Sequence, residues 1–293
     1  MTTITDLQET VSSVAEGAGR SVVGIGHRWA HGSGIVLGPG RVLTNAHNLR
    51  GDSVTVTFGD GRTERGRPVG VDVDGDVAVV EVDTGDAPPL EWAGGEDRIG
   101  APVLALANPG GRGLRVTFGL VSGTERSFRG PRGRRITGSV EHTAPLLPGS
   151  SGGPIVDPSG RLLGINTNRL GEGFYLAIPA DDELRSRTAA LAEGESPKRP
   201  RLGIGVAPSH VAKGLRRAVG LPEMDGLLVR VVEEGGPAAT AGLKEGDLIV
   251  AVDGEAVLEP DDLHLALERA SGGSVELKMV GGTEERSVKV VLG

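Results

Sequence analysis

Short apolar segments, many alternating with polar residues, recur between residues 21 and 178. Gly, Pro and Asp separate them at a spacing typical of an all-β sandwich or barrel. We expect strands at residues 21–25, 34–37, 41–44, 54–58, 77–82, 103–107, 115–121, 155–156 and 162–165. Helical periodicity predicts a leading helix at residues 6–18 and a closing helix at residues 181–191. The pattern therefore indicates an N-terminal segment, residues 1–20, and a mainly β domain, residues 21–192.

A change of composition follows this domain. Residues 193–200 (Glu-Gly-Glu-Ser-Pro-Lys-Arg-Pro) are charged and have no large apolar side chain to bury, which predicts a linker. Strands and helices then alternate: strands at 202–206, 226–232, 247–252, 274–280 and 286–292, helices at 211–219 and 260–270, and a short helix ending at residue 241. Residues 201–293 are thus expected to form a smaller α+β domain.

The charge of the chain narrows the classes of partner. The 293 residues carry a formal net charge of -8 at pH 7, whereas binding of polyanions usually needs a clustered positive field. One basic stretch, in which Phe128 offers little stacking surface, is interpreted as a solvated face: Arg126, Arg129, Arg132, Arg134 and Arg135. We expect no nucleic-acid partner.

Other absences exclude further chemistry. The chain has no cysteine, which excludes disulfides, a thiol nucleophile and Cys-ligated zinc. His27 and His31 flank Trp29 without a third nearby ligand, so we expect no metal and no cofactor. No apolar run approaches the roughly 20 residues that span a bilayer. The first residues lack a secretory signal, and as the sequence stands we expect a cytoplasmic location.

Residues 149–154, Gly-Ser-Ser-Gly-Gly-Pro, form the first candidate for covalent chemistry. Acyl transfer needs an exposed hydroxyl on a tight turn, with backbone N–H groups converging on the developing oxyanion. Ser151 is the expected nucleophile, and the N–H groups of Gly149 and Ser151, on either side of Ser150, are the expected oxyanion donors. Taken alone, the motif is equally compatible with a Gly-rich connecting turn.

A serine nucleophile needs a base and an acid that orients the base. Among six histidines, His47 follows a predicted strand, and the small Ala46 before it lets the backbone pack closely while the imidazole faces a cleft. Asp72, Asp74 and Asp76 are the candidates for fixing the imidazole tautomer. Asp76 directly precedes an apolar strand, whereas the other two lie in a Gly-containing turn, so Asp76 is the expected partner. The order His, Asp, Ser is one of the known triad orders.

Three blocks of sequence surround these residues: Thr-Asn-Ala-His at 44–47, Asp-Val-Ala-Val at 76–79 and Pro-Gly-Ser-Ser-Gly-Gly-Pro at 148–154. They resemble the catalytic blocks of the HtrA (Deg) family of trypsin-like serine proteases. The resemblance implies a chymotrypsin-like double β-barrel with the triad between the barrels, and a homo-oligomer, with a trimer favoured. Ser150 stands where the family usually has Asn, and His142-Thr143 replaces a Thr-Asp pair, which predicts the loss of a local hydrogen bond.

The same resemblance places a primary substrate pocket beside the nucleophile. Pro145 is expected near its base, with Leu146, Asn166, Thr167 and Tyr175 around it. Because no carboxylate is available near the base to pair with Lys or Arg, we expect cleavage after small or aliphatic residues such as Val, Ala or Leu. Tyr175 stands near a position where the family usually has a small residue, which predicts a narrower pocket.

The C-terminal region resembles the PDZ domain of the same family, in residues 202–205, 235–243 and 246–254. In that module a peptide C-terminus adds a strand to a sheet edge, and backbone N–H groups of the preceding loop hold its carboxylate. The resemblance implies that peptides bind at Leu202, Gly203, Ile204, Gly205 and Val206. Residues 260–270 are then the other wall of the groove, and the leucines of that helix, at 263 and 267, are expected to be core.

These features together predict an ATP-independent serine endopeptidase of the HtrA type. It would cleave unfolded or exposed polypeptide segments, and its PDZ domain would recruit peptides or regulate the site. The alternative is a peptide-binding, chaperone-like protein with little or latent protease activity. A third class, nucleotide-binding proteins, is disfavoured because the Gly-rich turns have neither Walker nor dinucleotide spacing.

Overall fold

The computed structural model describes residues 4–27, 30–94, 98–131, 134–171, 173–197, 200–270 and 273–293. Within it the chain divides into two units, Met1–Pro197 and Lys198–Gly293. The domain and linker boundaries inferred from the sequence stay predictions.

Six antiparallel strands close the first barrel of the first unit, in the order β1-β2-β3-β6-β5-β4. They are β1 (Val22–His27), β2 (Ala30–Gly38), β3 (Arg41–Thr44), β4 (Val54–Thr57), β5 (Thr63–Asp72) and β6 (Val77–Glu81). Successive side chains on these strands point to opposite faces. Val23, Val36 and Val80 lie in the core of this barrel, whereas their neighbours Val22, Ile35 and Val79 join a second core that includes side chains of the following barrel. Burial on both faces explains why these strands read as continuous apolar segments.

The second barrel has the same number of strands, in the order β10-β11-β12-β9-β8-β7. They are β7 (Pro102–Ala107), β8 (Arg115–Arg129), β9 (Arg135–His142), β10 (Pro154–Val156), β11 (Leu162–Gly171) and β12 (Phe174–Pro179). The mainly β fold with two barrels is thus confirmed. β8 continues eight residues beyond the predicted end at residue 121, because its pairing with β9 runs to Arg129↔Arg135. Phe128 is buried in this hairpin, and Arg132 lies outside the described residues.

Helices lie at both ends of the first unit. The predicted leading helix is α1 (Ile4–Glu16), and the predicted closing helix is α2 (Asp182–Ala192). Asp181 caps α2, since its side chain accepts a hydrogen bond from the N–H of Leu184. Leu184 and Leu191 of α2 are buried in the core that the two barrels share, so the amphipathic face of the helix fixes it to the barrels.

The second unit is the expected α+β domain. Its elements are β13 (Ile204–Ala207), α3 (Ser209–Ala218), β14 (Leu227–Val232), α4 (Pro237–Thr240), β15 (Leu248–Val252), β16 (Glu255–Ala256), α5 (Pro260–Arg269), β17 (Ser274–Gly281) and β18 (Glu284–Val291). The sheet order is β13-β14-β15-β17-β18, with β16 paired to β15, so β13 stands at one end. Leu263 and Leu267 of α5 are buried in the core of this unit, as predicted.

Candidate active site

The predicted base and its orienting acid meet at one end of the first barrel. His47 lies on a 3-10 turn (Ala46–Asn48) that follows β3, and Asp76 directly precedes β6. β3 and β6 are antiparallel neighbours with Thr44 opposite Ala78, so the end of one strand meets the start of the other. The Nδ1 atom of His47 lies 2.8 Å from Oδ2 and 2.9 Å from Oδ1 of Asp76. A carboxylate accepts, so a neutral imidazole carries its proton on Nδ1 and leaves Nε2 free to accept one.

Of the two residues, Asp76 has the more constrained position. It is 1% exposed and adopts a left-handed backbone conformation with a φ of 53°, which costs a non-glycine residue about 1–2 kcal/mol. Its carboxylate also accepts hydrogen bonds from the N–H of His47 (3.1 Å) and from Oγ1 of Thr167 (2.6 Å). Its carbonyl accepts one from Nδ2 of the buried Asn45 (2.9 Å). These contacts offset the strain and fix the direction of the carboxylate.

Thr167 and Asn45 connect the pair to its surroundings in ways that the sequence did not indicate. Thr167 was predicted as a pocket residue only, and Asn45 was not a candidate, although it lies in the block that resembles the family. Asp72, an alternative acid in the sequence, accepts instead from the N–H of Gly75 at 2.9 Å and lies 3.8 Å from Nη1 of Arg187. Asp72 therefore shapes the turn that leads to Asp76.

Ser151 reaches the same crevice from the second barrel. Its side chain is half-buried, and its Oγ donates to the carbonyl of Thr167 at 3.2 Å. Within the described part of the chain, no hydrogen bond joins Ser151 to His47. Hydrogen bonds between a nucleophile and its base are often long in free enzymes and tighten when substrate binds. The structure thus brings the three predicted side chains to one crevice, with the hydroxyl turned toward Thr167.

Two backbone N–H groups around Ser151 have no hydrogen-bond partner in the part of the chain that the structure describes. The N–H groups of Ser150, Gly152 and Gly153 donate to the carbonyls of Leu147, Asn166 and Ser150, respectively. Those of Gly149 and Ser151 have no hydrogen-bond partner among the described residues. Gly149 has a φ of 89°, a conformation that favours glycine. The two free donors are the pair that the sequence predicted for an oxyanion hole, and that role stays a prediction.

A cavity of about 170 Å³ opens beside the turn. It is lined by Leu146, Leu147, Pro148, Gly149, Ser150, Ser151, Thr167 and Tyr175. Among these described residues none is acidic. Pro145, expected at the base, does not line the cavity: it follows the buried Ala144 in an irregular segment, and its ring faces solvent. Asn166 is fully buried and does not line the cavity either.

His142 lies behind this cavity and was not a candidate from the sequence. It is fully buried and directly opposite Tyr175 in the β9–β12 pairing, so the two rings stack with centroids 5.8 Å apart. Nε2 of His142 lies 2.9 Å from Oδ1 of Asn166, and Nδ1 has no hydrogen-bond partner among the described residues. Burial lowers the pKa of His142 to about 4, against the hydrogen bond to Asn166, which raises it. The imidazole is therefore neutral at pH 7.

The predicted loss of a local hydrogen bond at residues 142–143 stays a prediction, and both residues make hydrogen bonds of their own. His142 bonds to Asn166, and Oγ1 of Thr143 accepts from the N–H of Leu120 at 3.0 Å. The sequence signal at position 142 is a histidine where the family has a threonine. Only the strand register shows that this ring stands opposite Tyr175. The side chains of His27 and His31 lie outside the described residues.

The predicted peptide-binding residues of the second unit lie at the edge of its sheet. Ile204, Gly205 and Val206 are half-buried on β13, which pairs with β14. Before them Gly203 has a φ of 74°, and its carbonyl accepts from the N–H of Glu233. Leu202 is buried, and its carbonyl accepts from the N–H of Ala238. An edge strand behind a tight loop is the geometry that strand addition by a peptide needs.

Comparisons with known proteins agree with this arrangement. A sequence profile of the trypsin-like peptidase domain matches residues 32–165, and one of the PDZ domain matches residues 228–280. A putative serine protease HhoA of a Synechocystis species is 34% identical over 277 residues, which cover 88% of this chain and 69% of that protein. A probable periplasmic serine endoprotease DegP-like of Halomonas elongata is 34% identical over 271 residues, or 89% of this chain and 56% of that protein. The chain thus spans about half the length of several curated relatives that it matches.

Solved structures extend the comparison to three dimensions. The HtrA-type protease AlgW with decapeptide has a TM-score of 0.65 and 25% identity, covering 97% of this chain and 98% of that one. A serine endoprotease from Yersinia pestis has a TM-score of 0.63 at 25% identity, covering 96% and 97%. Fold and comparisons thus define a trypsin-like peptidase domain with a PDZ domain. The chain belongs to the HtrA family. None of the helices among its described residues is long and apolar enough to cross a membrane.

Proposed function

We propose that this protein is an ATP-independent serine endopeptidase that hydrolyses peptide bonds in unfolded or exposed polypeptide segments. Ser151 is the nucleophile, His47 the general base and Asp76 the residue that orients the imidazole. The N–H groups of Gly149 and Ser151 stabilise the oxyanion. His47 takes the proton of the Ser151 hydroxyl as the acyl bond forms and gives it to the leaving amine, and water then releases the acyl group.

One observation carries the proposal: a buried carboxylate holds the imidazole beside a serine whose turn offers two N–H donors that have no partner among the described residues. A Gly-rich turn that merely connects two strands would not need a hydrogen-bonded His–Asp pair facing it. Rotation of the Ser151 hydroxyl from Thr167 toward Nε2 of His47 completes the arrangement that acyl transfer requires.

The cavity beside the turn supports a preference for small or aliphatic residues before the scissile bond. Leu146, Leu147 and Tyr175 give it an apolar lining. An arginine or lysine at this place would lose water without gaining a carboxylate partner, which is costly. Cleavage after Ala, Val or Leu is the proposed specificity.

The second unit is proposed to bind peptide C-termini along β13, with Leu202 and Gly203 in the loop that holds the carboxylate. The HtrA-type protease AlgW was solved with a decapeptide and with a tripeptide, which supports a peptide ligand for this family. The effect of the bound peptide on hydrolysis of a second substrate distinguishes two roles: recruitment of the peptide for cleavage and regulation of Ser151. A trimeric assembly and the cellular location stay predictions; several relatives are named periplasmic.

Digestion of β-casein by the wild-type protein and by Ser151→Ala tests the proposal. We expect the wild type to degrade casein and to react covalently with a fluorophosphonate, and Ser151→Ala to do neither. Ser159→Ala is the matched control, because Ser159 is an exposed serine of the same unit. Equal casein loss in the wild type and Ser151→Ala, or label on Ser151→Ala, would refute the assignment.

The hydrogen bond from Ser151 to Thr167 favours a second candidate, a peptide-binding protein with latent protease activity. In that case casein stays intact with every variant, while the wild type and Ser151→Ala suppress the aggregation of an unfolded client equally. Addition of peptides with free apolar C-termini separates the two candidates, since activation by such a peptide identifies a regulated protease.

A further inference from the structure

The turn that carries Ser151 is tied to the first barrel by one buried serine on β2, Ser33. Oγ of Ser33 donates to the carbonyl of Gly149 at 2.9 Å and accepts from the N–H of Asn108 at 3.0 Å. The N–H of Ser33 donates to the carbonyl of Ser151 at 2.8 Å. One residue thus holds the carbonyl groups on both sides of Ser150, and it does so from the opposite barrel.

Ser33 is in turn fixed by its own surroundings. It is 0% exposed, and its carbonyl accepts from Oγ1 of Thr44 at 2.7 Å. Nδ2 of Asn48 donates both to Thr44 Oγ1 (3.0 Å) and to the carbonyl of Ser151 (2.9 Å). The side-chain hydroxyl of Ser33 therefore uses its single donor and accepts one hydrogen bond, in a place where an unmade hydrogen bond is costly.

The contacts of Ser33 act on the backbone that faces the oxyanion. The peptide between Gly149 and Ser150 is held at both ends, because its carbonyl bonds to Ser33 and its N–H to the carbonyl of Leu147. Gly149 has a φ of 89° and no side chain to restrict rotation, so its own N–H depends on this neighbouring peptide for its direction. Without the bond from Ser33, this peptide would be held only through its N–H, and the N–H of Gly149 would lose one of the contacts that fix its direction.

The backbone of the turn packs closely against Ser33. A Cβ atom on Gly152 would lie 2.1 Å from the carbonyl oxygen of Ser33, and one on Gly153 would lie 3.3 Å from Cβ of Ser33. The glycines after Ser151 are therefore required by the approach of β2 as well as by access for substrate. The turn of Ser151 and β2 are therefore joined both by hydrogen bonds and by close packing.

We propose that Ser33 is a positioning residue of the candidate active site, which sets the oxyanion turn through its hydrogen bond to the carbonyl of Gly149. This inference rests on the proposed peptidase function. Ser33 touches neither the substrate nor the reacting atoms. Its effect is on the transition state, because the donor that it directs meets negative charge only as the oxyanion forms.

Ser33→Ala tests this role by the separation of kcat from KM on a fluorogenic peptide with Ala before the scissile bond. Loss of a direct oxyanion donor costs about 100- to 1,000-fold in kcat, and an indirect effect is expected at roughly 10- to 100-fold. We expect KM to change little and the affinity for a peptide boronic acid, which mimics the tetrahedral adduct, to fall by the same factor as kcat. Affinity for the product peptide should not change.

Ser139→Ala is the matched control. Ser139 is also a fully buried serine on a barrel strand, but its Oγ has no hydrogen-bond partner among the described residues. This variant is expected to keep both kcat and boronic-acid affinity. Ser33→Cys, which is somewhat larger than serine and keeps a weak S–H donor, is the second variant should Ser33→Ala not accumulate, and its kcat is expected between those of Ser33→Ala and the wild type.

The results separate the inference from the function on which it rests. A kcat of Ser33→Ala and of Ser33→Cys equal to that of the wild type overturns the positioning role while Ser151→Ala stays inactive. Equal losses of product affinity and boronic-acid affinity also overturn it, because they indicate general damage to the site. Activity in Ser151→Ala would instead refute the peptidase itself.

Discussion

The two barrels contribute to the candidate active site in different ways. The first barrel supplies a His47–Asp76 pair already in hydrogen-bond contact, and Asp76 is fixed further by Asn45 and by Thr167. The second barrel supplies Ser151 on a glycine-rich turn whose hydroxyl points to Thr167. The proposed base is therefore already hydrogen-bonded to its acid, whereas the proposed nucleophile still bonds to Thr167. Each half also receives one contact from the other barrel: Asp76 from Thr167, and the turn of Ser151 from Ser33. Changes to the His47–Asp76 pair should abolish the chemistry, whereas changes to the pocket wall of the second barrel should tune it.

Among the substitutions that test this comparison, Asp76→Asn is expected to change kcat the most. Asparagine adopts the left-handed backbone that Asp76 requires, so the fold is preserved. Its amide has one acceptor oxygen where the carboxylate has two, so an NH₂ group replaces an oxygen that faces donors of His47 and Thr167 and favours the wrong imidazole tautomer. We expect kcat to fall about 10⁴-fold, measured on a fluorogenic peptide.

Asp74→Asn is the control for Asp76→Asn, because Asp74 lies two residues earlier in the same turn. We expect it to keep the wild-type kcat. An equal loss in both variants would mean that the turn as a whole, and not the carboxylate of Asp76, carries the effect.

The sequence predicted the three catalytic candidates because each lies in a short block whose neighbouring residues are enough to indicate its role. It could not predict the contacts that arrive from distant parts of the chain. Ser33 lies 116 residues before Gly149, and Thr167 lies 91 residues after Asp76, so only the closure of both barrels brings them together.

The same reasoning explains the elements that were missed or misjudged. β5 begins with the polar run Thr-Glu-Arg-Gly-Arg at residues 63–67, which has no apolar alternation, yet β4 and β6 pair with it on both sides. β9 begins beside the arginines for which a solvated face was expected, and its register with β8 is irregular. Pro145 was placed at the pocket base by counting back from Ser151, but counting does not give the direction of a side chain. Pairing partners and side-chain direction are properties of the closed barrel.

His142 allows a test of how far the second barrel depends on a neutral ring. Burial lowers its pKa to about 4, so the unfolded chain, with an ordinary pKa of 6.5, takes up the proton first as the pH falls. This contribution to stability is complete above pH 6.5 and is lost progressively between pH 6.5 and pH 4. Over that window it amounts to about 3 kcal/mol.

His142→Gln removes this titration. Urea unfolding of the first unit at pH 7 and pH 4 measures the free energy of unfolding for both proteins. We expect the wild type to lose about 3 kcal/mol more than His142→Gln between the two pH values. Equal losses would show that His142 is already accessible to protons in the folded state.

Tyr175→Ala probes the pocket wall of the second barrel and gives the smallest expected effect. Tyr175 is 5% exposed, lines the cavity and stacks on His142, so its removal enlarges the space beside Ser151. Each additional methylene of the substrate that the pocket accommodates stabilises the transition state by about 1–3 kcal/mol. We expect the ratio of kcat/KM for Leu over Ala before the scissile bond to rise about tenfold, with kcat on the Ala peptide little changed.

Phe174→Ala is the control for this substitution, because Phe174 is the neighbouring aromatic residue on β12 and does not line the cavity. It should leave the ratio of the two peptides as in the wild type. A tenfold loss of kcat on both peptides in Tyr175→Ala would show that the wall also supports the turn of Ser151. Tyr175 would then not serve only to set the size of the pocket, since pocket size and catalytic geometry would not be separable at this position.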